Sequence, residues 1–293
     1  MTRDRGFTLV ELITVIVLTG ILSLVVWRNL SLPIRGFADM TARNETTGAI
    51  RLAMNRMTRE IRLALPNSVR VSPDGTALEM LRLSGGGRYR VEADPGDPAS
   101  DPINLGATAD TFSVLGDWNI PSNVRTSAGV AACLAGTADC LAIYNTGNPG
   151  TCAAQAAGTR TNAWCGDNLA GIASANGGTR ILSFNRTDGT TAFPTGSPVN
   201  RFFVVDTTVS FVCAGGELRR YAGYAIAATQ SVPPAGTPAV LATNVASCSF
   251  SYLSGSLSRA GLVALSLTLN LTNSENRTES VTLFDQLQLP NSP

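Results

Sequence analysis

RGFTLVELITVIVLTGILSLVVW, residues 5–27, decides how this chain is organised. From Phe7 to Trp27 there are 21 residues and a single charge, Glu11. At about 1.5 Å per residue that length crosses the hydrocarbon core of a bilayer, which needs roughly 20 apolar residues. A carboxylate near the centre of a span costs on the order of 2.5–3.5 kcal/mol, so Glu11 needs a partner. The apolar run is too long for a secretory signal, and no A-x-A cleavage site follows it. The small residue, Gly6, stands in front of it instead. Arg3 and Arg5 flank that end, which keeps the leader cytoplasmic and sends the residues after Trp27 outward.

Gly6-Phe7-Thr8-Leu9-Val10-Glu11-Leu12 resembles the signature of type IV prepilins and of the pseudopilins of type II secretion. The resemblance implies cleavage between Gly6 and Phe7 by an inner-membrane prepilin peptidase, with methylation of the new Phe7 amine. It also implies that Glu11, five residues into the mature chain, faces the terminal amine of a neighbouring subunit. Pairing with an ammonium resolves the cost of a carboxylate in lipid. Further segments resemble minor pilin-like components of the MSHA type IV pilus: RMTREIRLALPNSVRV (56–71), YNTG (144–147), VSFVCAGGELRRYAGYAIA (209–227), NVASCSFSY (244–252) and QLQLPNSP (286–293). The partners implied are the peptidase, other minor pilins, the major pilin and the inner membrane, with no nucleic acid. A pseudopilin of a type II secretion system is the alternative, because the N-terminal physics is the same.

Beyond the span, Pro33 and Gly36 predict a kink or local melting of the helix. The helical period then resumes. Ile50, Met54, Met57, Ile61 and Leu65 form one apolar stripe, with Arg51, Arg56, Arg59 and Arg62 mostly off it, so this half should pack on a sheet. The helix is expected to end before Pro66. Four segments follow: a leader at 1–6, a transmembrane half-helix at 7–27, a kinked amphipathic half at 28–65, and a disulfide-stapled β-rich domain at 66–293. The fold class is α+β, a long N-terminal helix packed on an antiparallel β-sheet domain.

After Pro66 the period falls to 2. Expected strands include 77–83, 88–92, 111–115, 141–145, 180–184, 202–206, 209–213, 217–221, 248–253 and 280–289. VALSLTLNL (263–271) is the clearest, with Val263, Leu265, Leu267, Leu269 and Leu271 alternating against Ala or polar residues. Gly85–Gly87 reads as a hairpin connection, and 121–179 as an elaborated loop region around one strand. Asp94, Asp97 and Asp101 in the loop DPGDPASDP are a candidate calcium site, but their spacing matches no EF-hand.

Six cysteines, Cys133, Cys140, Cys152, Cys165, Cys213 and Cys248, read as disulfides in an oxidising compartment. Sequence alone allows 15 connectivities. Cys133–Cys140, Cys152–Cys165 and Cys213–Cys248 would close two short loops in the segment least able to order itself and join two strands. A crossed pattern, Cys133–Cys152 with Cys140–Cys165, is the alternative.

Composition narrows the function. Over 293 residues the net charge is +1 and charged residues make up 15%, so no basic face argues for nucleic acid. Histidine is absent, which removes the commonest general base and most catalytic zinc sites. Neither a G-x-S-x-G nor a P-loop is present, so no catalytic residue, metal or cofactor is assigned and the chain is read as a non-enzyme.

Overall fold

The computed structural model describes residues 8–97, 99–147, 152, 161–187, 193–255 and 260–289, excluding the side chains of residues 31, 32 and 35. Gly6 and Phe7 lie outside the described residues. Two compact units result: Met1–Ala49 with Asn270–Val281, and Ile50–Leu269 with Thr282–Pro293.

Helix α1 runs over Leu9–Ile61 with Pro33 inside it. The helix continues unbroken through Pro33 and Gly36, which corrects the expectation of local melting. One proline removes a single i→i−4 bond, and the long helical runs on both sides hold the ladder across the gap. In the first unit, the turn between strands β11 (Gly261–Thr272) and β12 (Thr278–Leu289) meets this helix through polar contacts. The Ser274 N–H and hydroxyl donate to the Asp39 carboxylate at 2.6 and 3.0 Å, and Arg43 Nε donates to Glu279 Oε2 at 2.8 Å.

In the second unit the expected stripe is the buried face. Ile50, Met54, Met57, Ile61 and Leu65 are all buried, as are Val263, Leu265, Leu267 and Leu269 along β11. The helix ends four residues earlier than the proline predicts. Leu63 and Ala64 N–H turn to the carbonyls of Glu60 and Ile61, a tightened last turn, and Leu65 N–H donates to Leu81 O at 2.8 Å. Chain direction thus switches from helix to sheet edge before Pro66 is reached.

Nine antiparallel strands form the larger sheet. They are β1 (Arg70–Val71), β2 (Ala77–Tyr89), β3 (Ala109–Leu115), β4 (Cys140–Ala142), β5 (Leu169–Asn176), β6 (Ile181–Asn185), β7 (Arg201–Ala214), β8 (Glu217–Ala222) and β9 (Ala239–Ala242). Their order is β1-β2-β3-β6-β5-β4-β7-β8-β9, and β2 also pairs with β7 from Ala77↔Val212 to Arg88↔Arg201. The second pairing closes β2, β3, β6, β5, β4 and β7 into a six-stranded barrel. Every strand of that circuit sends side chains inward: Tyr89, Phe112, Leu141, Ile172, Phe184 and Phe202 belong to one buried cluster. Phe112 meets Phe202 edge-on at 5.5 Å between ring centroids. A closed circuit leaves no strand edge among its members. The smaller sheet is β10-β11-β12, with β10 at Val245–Leu253.

The barrel corrects three expectations. Gly85–Gly87 does not turn the chain but lies within β2, merging the strands expected at 77–83 and 88–92. A Cβ at Gly85 would come within 2.3 Å of Asn119 O, and one at Gly86 within 2.7 Å of Phe202 O. These glycines serve close backbone approach rather than reversal. The region 121–179 likewise holds more than one strand: helix α2 (Val130–Leu134), β4, a 3₁₀ turn at Ala163–Cys165, and β5. Similarly, 202–206 and 209–213 are one strand, β7.

Candidate functional site

The N-terminal segment is built to live without water. Leu9–Leu30 is long and apolar enough to cross a membrane, and none of its apolar window is buried within the protein. Its polar side chains spend their hydrogen bonds on the helix itself. Thr14 donates to Glu11 O at 2.9 Å, Thr19 to Val15 O at 2.7 Å, Ser23 to Thr19 O at 2.7 Å, and Asn29 to Val25 O at 2.9 Å. Internal satisfaction is what a hydrocarbon environment demands of polar groups.

Glu11 has a local role that the sequence reading passed over. Thr8 precedes the first helical residue, and Glu11 follows it by three positions, the T-x-x-E spacing of a capping box. Glu11 N–H donates to Thr8 Oγ1 at 3.4 Å, while Thr8 N–H and hydroxyl donate to Glu11 Oε2 at 3.5 and 3.3 Å. These long bonds answer two of the orphan donors at the helix start and leave Glu11 Oε1 without a hydrogen bond among the described residues. The carboxylate can therefore cap its own helix and still present an oxygen outward. Next to it, the residues of the expected cleavage, Gly6 and Phe7, lie outside the described residues.

The cysteines bind elements of the second unit together. Cys133 on α2 is joined to Cys140 on β4, Cys152 to Cys165 in the 3₁₀ turn, and Cys213 on β7 to Cys248 on β10. The last pair connects the nine-stranded and three-stranded sheets. Cys133 and Cys140 sit in a buried cluster with Leu65, Leu81, Trp164 and Val205, so this staple is part of a core rather than a surface loop.

Asp94, Asp97 and Asp101 do not converge on an ion. Asp94 Oδ1 accepts from Gly96 N–H at 3.0 Å and Asp97 Oδ1 from Ala99 N–H at 3.0 Å, both turn-forming contacts. Asp101 is engaged through its backbone N–H, which donates to Ser113 Oγ at 3.0 Å. Among the described residues no group of three or more potential ligands is placed to hold a metal.

A polar cluster invisible to sequence reading surrounds Arg70. Arg70 and Glu79 are direct cross-strand partners of β1 and β2, and Glu79 is 2% exposed. The guanidinium donates to Glu79 Oε2 and to Ala228 and Ala227 carbonyls at 2.7 and 3.0 Å, and stacks 3.8 Å above the Trp164 ring. Burial pushes the Glu79 carboxyl above its ordinary range, against the pull of Arg70. Burial also raises the Tyr224 phenol, and Glu79 adds to that effect. The arrangement ties four chain segments, and Arg70, Trp164 and Ala228 line one side of a cavity of about 580 Å³. Cross-strand register pairs Arg70 with Glu79, and the tertiary fold brings Trp164, Ala227 and Ala228 to them; sequence specifies neither.

No curated protein and no solved structure matches the chain. A family described as the prokaryotic N-terminal methylation motif matches residues 1–27. That match covers the leader, Gly6, Phe7, Glu11 and the apolar span, and it supports reading the chain as a type IV pilin-like prepilin or pseudopilin, anchored in a membrane and carried into a filament.

Proposed function

We propose that this chain is a non-enzymatic minor pilin of an MSHA-like type IV pilus, assisting initiation of assembly or priming the filament tip. Its finer likeness is to the MshO-like components of that pilus, through the segments at 56–71, 209–227 and 244–252. The observation that carries the reading is the coincidence of the methylation motif, the Gly6–Phe7 junction and Glu11 at the head of a span of 22 residues. In this reading the peptidase removes residues 1–6 and the domain from Pro66 onward stands in the periplasm. Glu11 then docks on the terminal amine of a neighbouring pilin. A minor pseudopilin of a type II secretion system draws on the same N-terminal support.

Processing is the test. Mass spectrometry of the membrane fraction should find a mature chain beginning at N-methyl-Phe7, and Gly6→Val should leave the leader attached, because a branched side chain at the scissile glycine obstructs an extended backbone. An intact Met1 in cells with an active prepilin peptidase rejects the proposal.

A further inference from the structure

We propose that a groove on the outside of the barrel, between β2 and β7, binds an extended acidic segment of a partner polypeptide. This inference stands whether or not the chain is a pilin. The groove has a volume of about 760 Å³ and is lined by Leu63, Leu83, Phe203, the Gly85–Gly87 stretch, Arg88 and Arg201. Gly86 lies on the same face as Arg88, where a side chain would meet Phe203, so its backbone forms that part of the floor. A second cavity of about 520 Å³ shares Arg82, Ser84 and Asp206 with it, extending the trough toward Arg125 and Gly223.

Charge identifies the occupant. Elsewhere along the trough the arginines have carboxylates: Arg82 pairs with Asp206, Arg125 with Asp139, and Arg220 with Glu60. Arg88 and Arg201 have none among the described residues, and they are direct cross-strand partners on one face. Like charges directly opposite in a sheet repel, and both side chains are exposed. Among the described residues Arg88 Nε donates to Val199 O at 3.1 Å. An external carboxylate between the two guanidiniums removes that repulsion with charge-assisted hydrogen bonds. A second sign of a missing partner lies in the shared lining. Ser84 Oγ is buried and has no hydrogen-bond partner among the described residues.

The walls select a polypeptide over other polyanions. Leu63, Leu83 and Phe203 offer apolar contact, which acidic and apolar side chains alternating along a strand can use. Of the two lining phenylalanines, Phe202 is buried inside the barrel, so a single ring remains where bases or sugars would need several.

The test uses the full chain in detergent and a fluorescein-labelled hexapeptide of alternating aspartate and leucine, read by fluorescence anisotropy. Expected is saturable binding that the lysine–leucine counterpart does not show, weakened about tenfold or more by Arg88→Glu with Arg201→Glu. Arg219→Glu, at an arginine paired with Glu217 outside the groove, should leave binding unchanged. Should the double variant fail to fold by near-ultraviolet circular dichroism, Arg201→Ala alone decides by the same loss. No binding of the acidic peptide overturns the proposal, and so does equal binding by a folded variant. Heparin or a single-stranded oligonucleotide binding where the peptide fails would assign the arginines to a different polyanion and overturn it equally.

Discussion

Along α1, Leu12, Ile16, Leu18 and Ile21 are each more than half exposed, whereas Ile50, Met54, Met57 and Ile61 on the same helix are at most 2% exposed. The residue types are alike; the pattern is not. Residues 9–30 are apolar on every side, so no single packed face can cover them, and a surrounding apolar medium or neighbouring helices must. From residue 50 onward Ile50, Met54, Met57 and Ile61 recur on one buried stripe, with Arg51, Arg56, Arg59 and Arg62 mostly off it. A half that is covered by its own chain contributes to the stability of the β domain. The other half contributes to anchorage and assembly.

Polar substitution breaks this comparison most sharply. Met57→Asp should destabilise the β domain by about 4 kcal/mol or more, since it exchanges a buried thioether for an unpaired carboxylate. Ile16→Asp, on the bare half, should leave the urea midpoint of that domain unchanged in detergent. If both shift the midpoint alike, the two halves form one cooperative unit and the contrast fails.

Legibility followed the same division. The stripe from Ile50 to Leu65 and the alternation along β11 are local periodicities, and both stand in the structure as buried faces. The barrel was not legible, because its closure depends on β2 meeting β7 more than 100 positions later. LAGIASAN (169–176) lacks the aromatic residues that mark a strand, yet it is β5, stabilised by its neighbours β4 and β6. Gly85–Gly87 misled for a different reason. Glycine marks both a turn and a close backbone approach, and sequence does not distinguish them. At the candidate N-terminal site the docking role proposed for Glu11 came by resemblance, while its cap with Thr8 was legible in T-x-x-E and missed.

The staples extend the contrast into the second unit. Replacing both Cys213 and Cys248 with alanine should cost about 3–4 kcal/mol, from a loop of 35 positions and from release of the smaller sheet. For Cys133 with Cys140, separated by 7 positions, the loop term is about 2.5 kcal/mol. Urea unfolding of the two double variants ranks them; the reverse order would show that α2 and its buried cluster, not the junction of the sheets, hold the domain.

Arg70→Met tests the buried polar cluster. Leaving Glu79 without its partner should cost about 3 kcal/mol near neutral pH. The sign with pH follows from the raised carboxyl: the folded state keeps a proton that the unfolded chain releases above about 4.5. Glu79 therefore favours folding below that value and progressively less as pH rises toward its folded pKa. Removing Arg70 raises that pKa further and carries the decline to higher pH. Stability measured from about pH 4 to 8 should fall more in Arg70→Met than in the parent, and Arg70→Met with Glu79→Gln should lose that extra slope.

The smallest effect separates the cap at Glu11 from the docking role proposed for it. Glu11→Gln keeps an oxygen that can accept from Thr8 N–H but removes the charge, whereas Glu11→Leu removes both. The cap is worth about 0.5–1 kcal/mol and acts on the first turn alone, so neither variant should move the urea midpoint of the β domain. Amide exchange at residues 9–12 should quicken in Glu11→Leu and in Thr8→Ala but not in Glu11→Gln. Co-purification with other pilins should instead fail in Glu11→Gln and Glu11→Leu alike, because an ammonium is drawn by charge and not by a neutral amide. Thr8→Ala, with a frayed turn and an intact carboxylate, should still assemble. If Glu11→Gln assembles normally while Glu11→Leu and Thr8→Ala do not, the glutamate matters as a cap, and the ion-pair reading of Glu11 is wrong.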